Sequence, residues 1–140
     1  MNHSEAPRRT GRSILAVVVG IAVGAALSLG TDEILHLTGT YPPWSERMAD
    51  PLFGAATAYR IVYSILGSWV VARLAPRRPM KHALIAGAIG LAVSVAGAAA
   101  TWNANLGPHW YSVAVAAMAL PCAWLGAKIR EAQLRAAPAG

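Results

Sequence analysis

Four long apolar stretches, separated by short polar connections, dominate the pattern of this chain. They cover approximately residues 13–31, 52–74, 83–102 and 110–127. A helix needs about 20 mostly apolar residues to cross the hydrocarbon core of a bilayer. Inside that core every backbone polar group must find a partner within the protein, which a helix provides. The pattern therefore predicts an all-α integral membrane protein in which four transmembrane helices form a bundle.

The basic residues predict the orientation of these four spans. We divide the chain into an N-terminal tail (1–12), a transmembrane domain (13–128) and a C-terminal tail (129–140). Cytoplasmic segments of membrane proteins carry an excess of Lys and Arg. Of the twelve Lys and Arg residues, ten lie in the two tails, in the loop between spans two and three, or at the adjoining span ends: Arg8, Arg9, Arg12, Arg73, Arg77, Arg78, Lys81, Lys128, Arg130 and Arg135. We expect a multi-pass protein of a bacterial-type inner membrane with both termini in the cytoplasm.

Composition excludes several other classes of protein. Charged residues make up 13 % of the chain, against about 25 % in an ordinary soluble domain. The net charge of +6 would suit a nucleic-acid partner, but the basic residues follow the span ends, so we expect the lipid bilayer as partner and no nucleic acid. Cys122 is the single cysteine and cannot form an intrachain disulfide. The basic tail also fits a signal peptide, but no Ala-x-Ala site closes the first span, and we expect it to be retained.

Small residues at four-residue spacing mark the faces through which helices pack in lipid, where close backbone approach supplies the attraction. The first span carries Gly20, Gly24 and Ser28, and the third carries Gly90 and Ser94. We expect these two faces to meet near the centre of the bundle, or one of them to form the contact of a homo-oligomer.

The two halves of the chain share a pattern that an internal duplication into tandem helical hairpins would explain. In span two Trp69 precedes Arg73 by four residues, and in span four Trp124 precedes Lys128 by four. Shared membrane composition explains the same pattern, and the sequence leaves the two explanations open. Aromatic residues at these places predict a belt at the membrane surface.

Arg60 is the most unusual residue of the predicted spans. It lies 13 residues before Arg73, or about 20 Å along a helix. A charge at that depth is costly and usually has a partner. The candidates are Asp32 and Glu33, just beyond the first span, with His36 one helical turn further. This intramembrane polar group is either a structural ion pair or the site of a solute.

The loop between the first two spans gives two further expectations. Pro42 and Pro43 favour an extended path, after which Ser45 could begin a short helix that ends before Asp50. His109 joins Asp32, Glu33 and His36 at the same predicted membrane face. Since these four residues form no tight ligand motif, we expect neither a metal ion nor a cofactor.

The sequence contains no recognisable catalytic set. Its glycines are explained by helix packing, and no Ser-His-Asp arrangement or phosphate-binding loop is present. We expect a non-enzymatic protein that is a structural, accessory or oligomeric component of the membrane. The first alternative is a small-solute transporter or channel that uses Arg60 with Asp32 or Glu33. The second is a membrane enzyme acting on a lipid or a quinone.

Overall fold

The computed structural model describes residues 5–138, and within that range the protein is helical with no strand. Its five helices are α1 (Glu5–Leu37), α2 (Asp50–Leu74), α3 (Pro79–Thr101), α4 (His109–Ala117) and α5 (Ala119–Ala136). Four segments are long and apolar enough to span a membrane: α1, α2, α3, and α4 with α5 together. The predicted fold class is confirmed to this extent. Helices α1 and α5 extend beyond the predicted spans into both tails.

Local sequence explains where the helices begin and end. Proline occupies the first turn of α2 and of α3, where its missing N–H removes no helical hydrogen bond. Helix α1 ends at Leu37, and Gly39 follows with a φ of 75°. That left-handed conformation suits glycine because it has no Cβ. The turn sends the chain back toward α2.

A proline divides the fourth span. Pro121 has no N–H, and its ring opposes the carbonyl of Ala117 four residues earlier, so α4 ends at Ala117 and α5 begins at Ala119. The backbone N–H of Cys122 donates to the carbonyl of Met118 at 2.9 Å, which restores the helical pattern at once. The interruption of the fourth span therefore lies at Met118.

Helices pack closely toward the end of the bundle where Arg12, Arg73 and Lys128 are found, here called the basic end. A Cβ on Gly126 of α5 would lie 2.6 Å from the carbonyl oxygen of Ile65 in α2. The small side chains of α2, α3 and α5 form the core of this end: Ala72, Ala83 and Ala127. Close backbone approach thus holds three helices together there.

The same end carries two matching aromatic contacts. The Arg73 guanidinium lies 5.6 Å from the centre of the Trp69 ring, and the Lys128 ammonium lies 5.5 Å from that of Trp124. Each pair is four residues apart on one helix, so both rings lie against a cation of the next turn. This places both aromatic–cation pairs at one end of the bundle.

Helix α1 packs on α2, which differs from the expectation that the small faces of the first and third spans meet. A Cβ on Gly24 would lie 3.3 Å from the Tyr63 carbonyl, and Gly20 approaches Gly67 still more closely. On α3, a Cβ on Gly90 would meet nothing within 4 Å. Gly90 and Ser94 line a cavity instead, together with Gly20, Gly24 and Ser28.

The connection between α1 and α2 contains a turn where the sequence predicts a short helix beginning at Ser45. The N–H of Glu46 donates to the Pro43 carbonyl at 2.8 Å, and no helix forms before Asp50. The His36 Nδ1 atom lies 2.6 Å from the Pro42 carbonyl oxygen, and the His36 ring lies against that of Trp44 with centres 3.7 Å apart. These contacts tie the loop to the end of α1.

Candidate functional site

The candidate site is built around an ion pair between α1 and α2. The Arg60 guanidinium donates through Nη2 to the Asp32 carboxylate. The Asp32 side chain is 11 % exposed and that of Arg60 is 25 % exposed. Glu33 is the next residue along α1, and a helix turns about 100° per residue. Its side chain is therefore exposed on another face and stays outside this pair.

Tyrosine hydroxyls extend the ion pair toward the loop between α1 and α2. The Tyr59 hydroxyl donates its proton to Asp32 and lies 3.2 Å from the Tyr41 hydroxyl, which is also 3.4 Å from the Leu52 carbonyl oxygen. One turn further toward the basic end, the hydroxyls of Thr31 and Tyr63 are 2.9 Å apart. The buried carboxylate thus accepts from two donors, and a hydrogen-bonded chain leads from it to the buried Tyr41.

Tyr111 brings α4 to the same site. It lines the same cavity as Arg60 and Asp32, and its ring packs on Phe53 with centres 5.0 Å apart. A Cβ on Gly107 would lie 2.6 Å from Phe53, so the α3–α4 loop closes over this ring. The sequence gives Tyr111 no role beyond the aromatic belt, because nothing in its neighbourhood shows that α4 packs beside Arg60.

Two cavities adjoin the ion pair. The first, with a volume of about 540 Å³, is called the loop-end cavity. Residues of α1, the α1–α2 loop, α2, the α3–α4 loop and α4 line it, among them Asp32, His36, Tyr41, Trp44, Arg60 and Tyr111. It combines aromatic rings with charges of both signs, which suits a ligand that has a polar group.

The second cavity lies nearer the basic end, has a volume of about 400 Å³, and is called the small-residue cavity. Small and aliphatic side chains of α1, α2 and α3 form most of its lining, with four serines: Ser28, Ser64, Ser68 and Ser94. Within residues 5–138, none of these four hydroxyls has a hydrogen-bond partner. The small-residue faces singled out in the sequence therefore surround a space.

Arg60 connects the two cavities. Among the described residues it alone lines both. Its Nε atom is buried and makes no hydrogen bond, although buried polar groups in proteins are nearly always satisfied. The guanidinium therefore keeps one unused donor, which is covered by surrounding atoms.

The two histidines predicted to lie near the candidate site, His36 and His109, both contact loop residues. His36 contacts Pro42 and Trp44, as described above, and also lines the loop-end cavity. His109 stacks on Trp102, with ring centres 3.9 Å apart, and its Nε2 lies 3.0 Å from the Trp102 carbonyl oxygen. In the described part of the chain, no three His, Cys, Asp or Glu side chains are grouped so that they could hold a metal ion.

Comparison of the chain with protein-family models, with curated proteins and with solved structures yields no match.

Proposed function

We propose that the protein is a membrane carrier that binds a small anionic solute at Arg60. The observation that carries this proposal is the position of Arg60 at the junction of the loop-end cavity and the small-residue cavity. A solute passing from one space to the other would contact its guanidinium. Charged residues within membrane spans usually face the bundle interior or a cavity, and they mark the pathways of substrates and ions.

The state of the ion pair supports this reading. Arginine recognises carboxylates and phosphates through two parallel N–H donors, and Asp32 is recorded on one nitrogen of Arg60 while Nε is unpartnered. An entering anion would replace Asp32 on Nη2, and the buried Nε would supply the second parallel donor once the Arg60 side chain turns. The Tyr59 hydroxyl keeps Asp32 hydrogen-bonded during that exchange, which lowers the cost of separating the pair.

A structural role for the same pair is the second candidate, and the hydrogen bonds between α1 and α2 favour it. Thr31 with Tyr63, and Asp32 with Tyr59 and Arg60, join the two helices over successive turns. Under that reading the protein is an accessory component of the membrane, alone or as a homo-oligomer. Replacing Arg60 would then weaken the fold and change no solute activity.

The distribution of charge supports an orientation for the carrier. The basic end would face the cytoplasm of a bacterial-type cell, with both termini, because that end holds most of the Lys and Arg residues. The loop-end cavity would then open away from the cytoplasm. The internal duplication remains a hypothesis about how the two helical hairpins arose.

Anion flux from liposomes tests the proposed function. Protein reconstituted at a low protein-to-lipid ratio would be assayed for the release of trapped acetate, nitrate and phosphate, each given separately. We expect one or more of these anions to be released faster than from protein-free liposomes. We also expect Arg60→Gln to abolish the difference, because the neutral amide cannot form a charge-assisted pair with an anion.

Arg135→Gln is the matched control, since Arg135 is an exposed arginine of α5 that lines neither cavity. It should release anions as the unmodified protein does. If folded Arg60→Gln protein releases every anion at the unmodified rate, or if none of them is released, the carrier proposal is wrong.

A further inference from the structure

We infer that the solute is an amphiphile with a single hydrocarbon chain and an anionic head, the head at Arg60 and the chain in the small-residue cavity. This inference rests on the proposed function and narrows it to one class of substrate. It follows from three features of the small-residue cavity: its mouth, its length and its lining.

The mouth of the small-residue cavity opens sideways, between α1 and α3. Ile21 and Leu29 on α1, and Ile89 and Val93 on α3, line the cavity and are also exposed on the outside of the bundle. Side chains that do both stand at an opening. Because these helices are long and apolar enough to span a membrane, the opening faces the region that lipid chains occupy. A molecule dissolved in the bilayer can enter there without crossing water.

The cavity is elongated along the helices. On α2 its lining extends from Arg60 to Val71, eleven residues or about 16 Å of helix. On α1 it extends from Gly20 to Leu29 over a similar distance. A compact inorganic anion would occupy only the Arg60 end of such a space. A hydrocarbon chain lying parallel to the helices would fill its length.

The lining can accommodate a hydrocarbon chain because its glycine and alanine residues leave room beside the helix backbones. Gly90 has room for a side chain, since a Cβ there would meet nothing within 4 Å. The serine hydroxyls do not prevent apolar contact, because a serine in a helix can turn its hydroxyl toward a carbonyl of the preceding turn. The only charged group of the lining is Arg60, at one end.

The anionic head follows from that single charge. Its carboxylate or phosphate oxygens would replace Asp32 on Nη2 of Arg60, and the buried Nε, which has no hydrogen-bond partner, would supply a second parallel donor once the side chain turns. The Tyr111 hydroxyl belongs to a side chain that lines the loop-end cavity together with Arg60, and it could donate to the same head. A cationic head would meet Arg60 with like charge, and a neutral head would leave Arg60 with Asp32.

Photolabelling with a defined probe tests the inference. The probe is palmitate that carries a diazirine in the middle of its chain, added to the full-length protein in phosphatidylcholine liposomes. After irradiation, peptide mapping should find label on lining residues of α1 and α3, and unlabelled palmitate should compete. A photoreactive palmitylamine of the same length should label these positions weakly. Hexadecyl phosphate as a second competitor shows whether the head can also be a phosphate.

Two glycines of one helix supply the variant and its control. Gly90→Leu places a side chain inside the small-residue cavity, whereas Gly97→Leu lies on the same helix outside both cavities. Neither Cβ meets a neighbour within 4 Å, so both variants should fold. We expect Gly90→Leu, and separately Arg60→Gln, to lower the competable labelling about tenfold, a loss of about 1.4 kcal/mol in binding. Gly97→Leu should label normally.

The outcomes separate this inference from the proposed function. If the label is spread evenly over the exposed helix faces, or if labelling is unchanged in Gly90→Leu, the inference that the solute is an amphiphile is wrong. If flux of acetate, nitrate or phosphate still depends on Arg60 in that case, the carrier proposal stands without it. If neither flux nor labelling depends on Arg60, both are wrong.

Discussion

Gly20 of α1 and Gly67 of α2 lie so close together that neither position has room for a side chain. A Cβ on Gly20 would be 2.6 Å from the carbonyl oxygen of Gly67, and a Cβ on Gly67 would be 2.7 Å from that of Gly20. The two backbones thus touch each other directly. This contact holds α1 against α2 at the level where the small-residue cavity begins, so it positions both walls of that cavity.

Replacing a glycine of this contact should destabilise the protein. We expect Gly67→Ala to lower the free energy of unfolding by about 1–3 kcal/mol, because the added methyl group must push a helix backbone away. Unfolding in a mild detergent, followed by circular dichroism, measures the change. Gly54→Ala on the same helix is the control, since its Cβ would meet nothing within 4 Å.

The control should be neutral or stabilising by about 0.5–1 kcal/mol, because alanine favours a helix over glycine. Equal stability of Gly67→Ala and Gly54→Ala would show that α1 and α2 are further apart than described here.

The ion pair predicts a characteristic pattern of stabilities in a double-mutant cycle. Asp32→Asn should cost about 3 kcal/mol, because it leaves the Arg60 charge without a carboxylate in a mostly buried place. Asp32→Leu combined with Arg60→Leu should cost less than Asp32→Leu alone, since the double variant buries no unpaired charge. Reversible unfolding of the single and double variants in one detergent measures the coupling.

The same cycle on Arg47 and Asp50 supplies a reference. Those side chains are 3.2 Å apart and well exposed, and exposed pairs contribute about 1 kcal/mol or less. If both cycles gave the same small coupling, the Asp32–Arg60 pair would behave as an exposed one, and the site would be wetter than the structure indicates.

The sequence predicts the four apolar segments well and the arrangement of side chains between them less well. The position of Arg60 within its span is enough to predict that its partner is a carboxylate near the end of the first span. It does not distinguish Asp32 from Glu33, because that choice depends on how α1 is rotated against α2. The Gly20–Gly67 contact settles the rotation, and it involves residues 47 positions apart in the chain.

The small residues show the same limit. Their spacing indicates where another backbone can approach, and Gly20 and Gly24 do meet α2 closely. Gly90 has the same small-residue spacing, yet in the structure it lines a cavity and does not contact another helix backbone. Which of two similar stripes is filled depends on the path of every helix, and Pro121 alters that path in the fourth span. The cavity, and with it the role of Tyr111, could therefore not be predicted from the pattern.

The hydroxyl of Tyr59 should matter more than that of Tyr63. Tyr59→Phe removes a donor to the Asp32 carboxylate and a hydroxyl contact with Tyr41, whereas Tyr63→Phe removes one neutral hydrogen bond with Thr31. Hydrogen bonds to charged groups contribute about 1.5–3 kcal/mol and neutral ones about 0.5–1.5 kcal/mol. Unfolding of the two variants under identical conditions measures the difference. A larger loss in Tyr63→Phe would contradict the hydrogen-bonded chain through Tyr59.

The proposed orientation predicts which ends of the bundle a membrane-impermeant maleimide reaches in intact bacterial cells. Cys122 is buried, and Cys122→Ala supplies a cysteine-free background. In it, Thr40→Cys and Asn103→Cys introduce exposed thiols in the two loops opposite the basic end, and Ala137→Cys introduces one beyond α5. None of the three changes a charge, so the Lys and Arg distribution that sets orientation is kept. We expect the two loop cysteines to react in intact cells and Ala137→Cys to react only after permeabilisation. The reverse result would place the loop-end cavity on the cytoplasmic side, and an anion bound at Arg60 would then enter from within the cell.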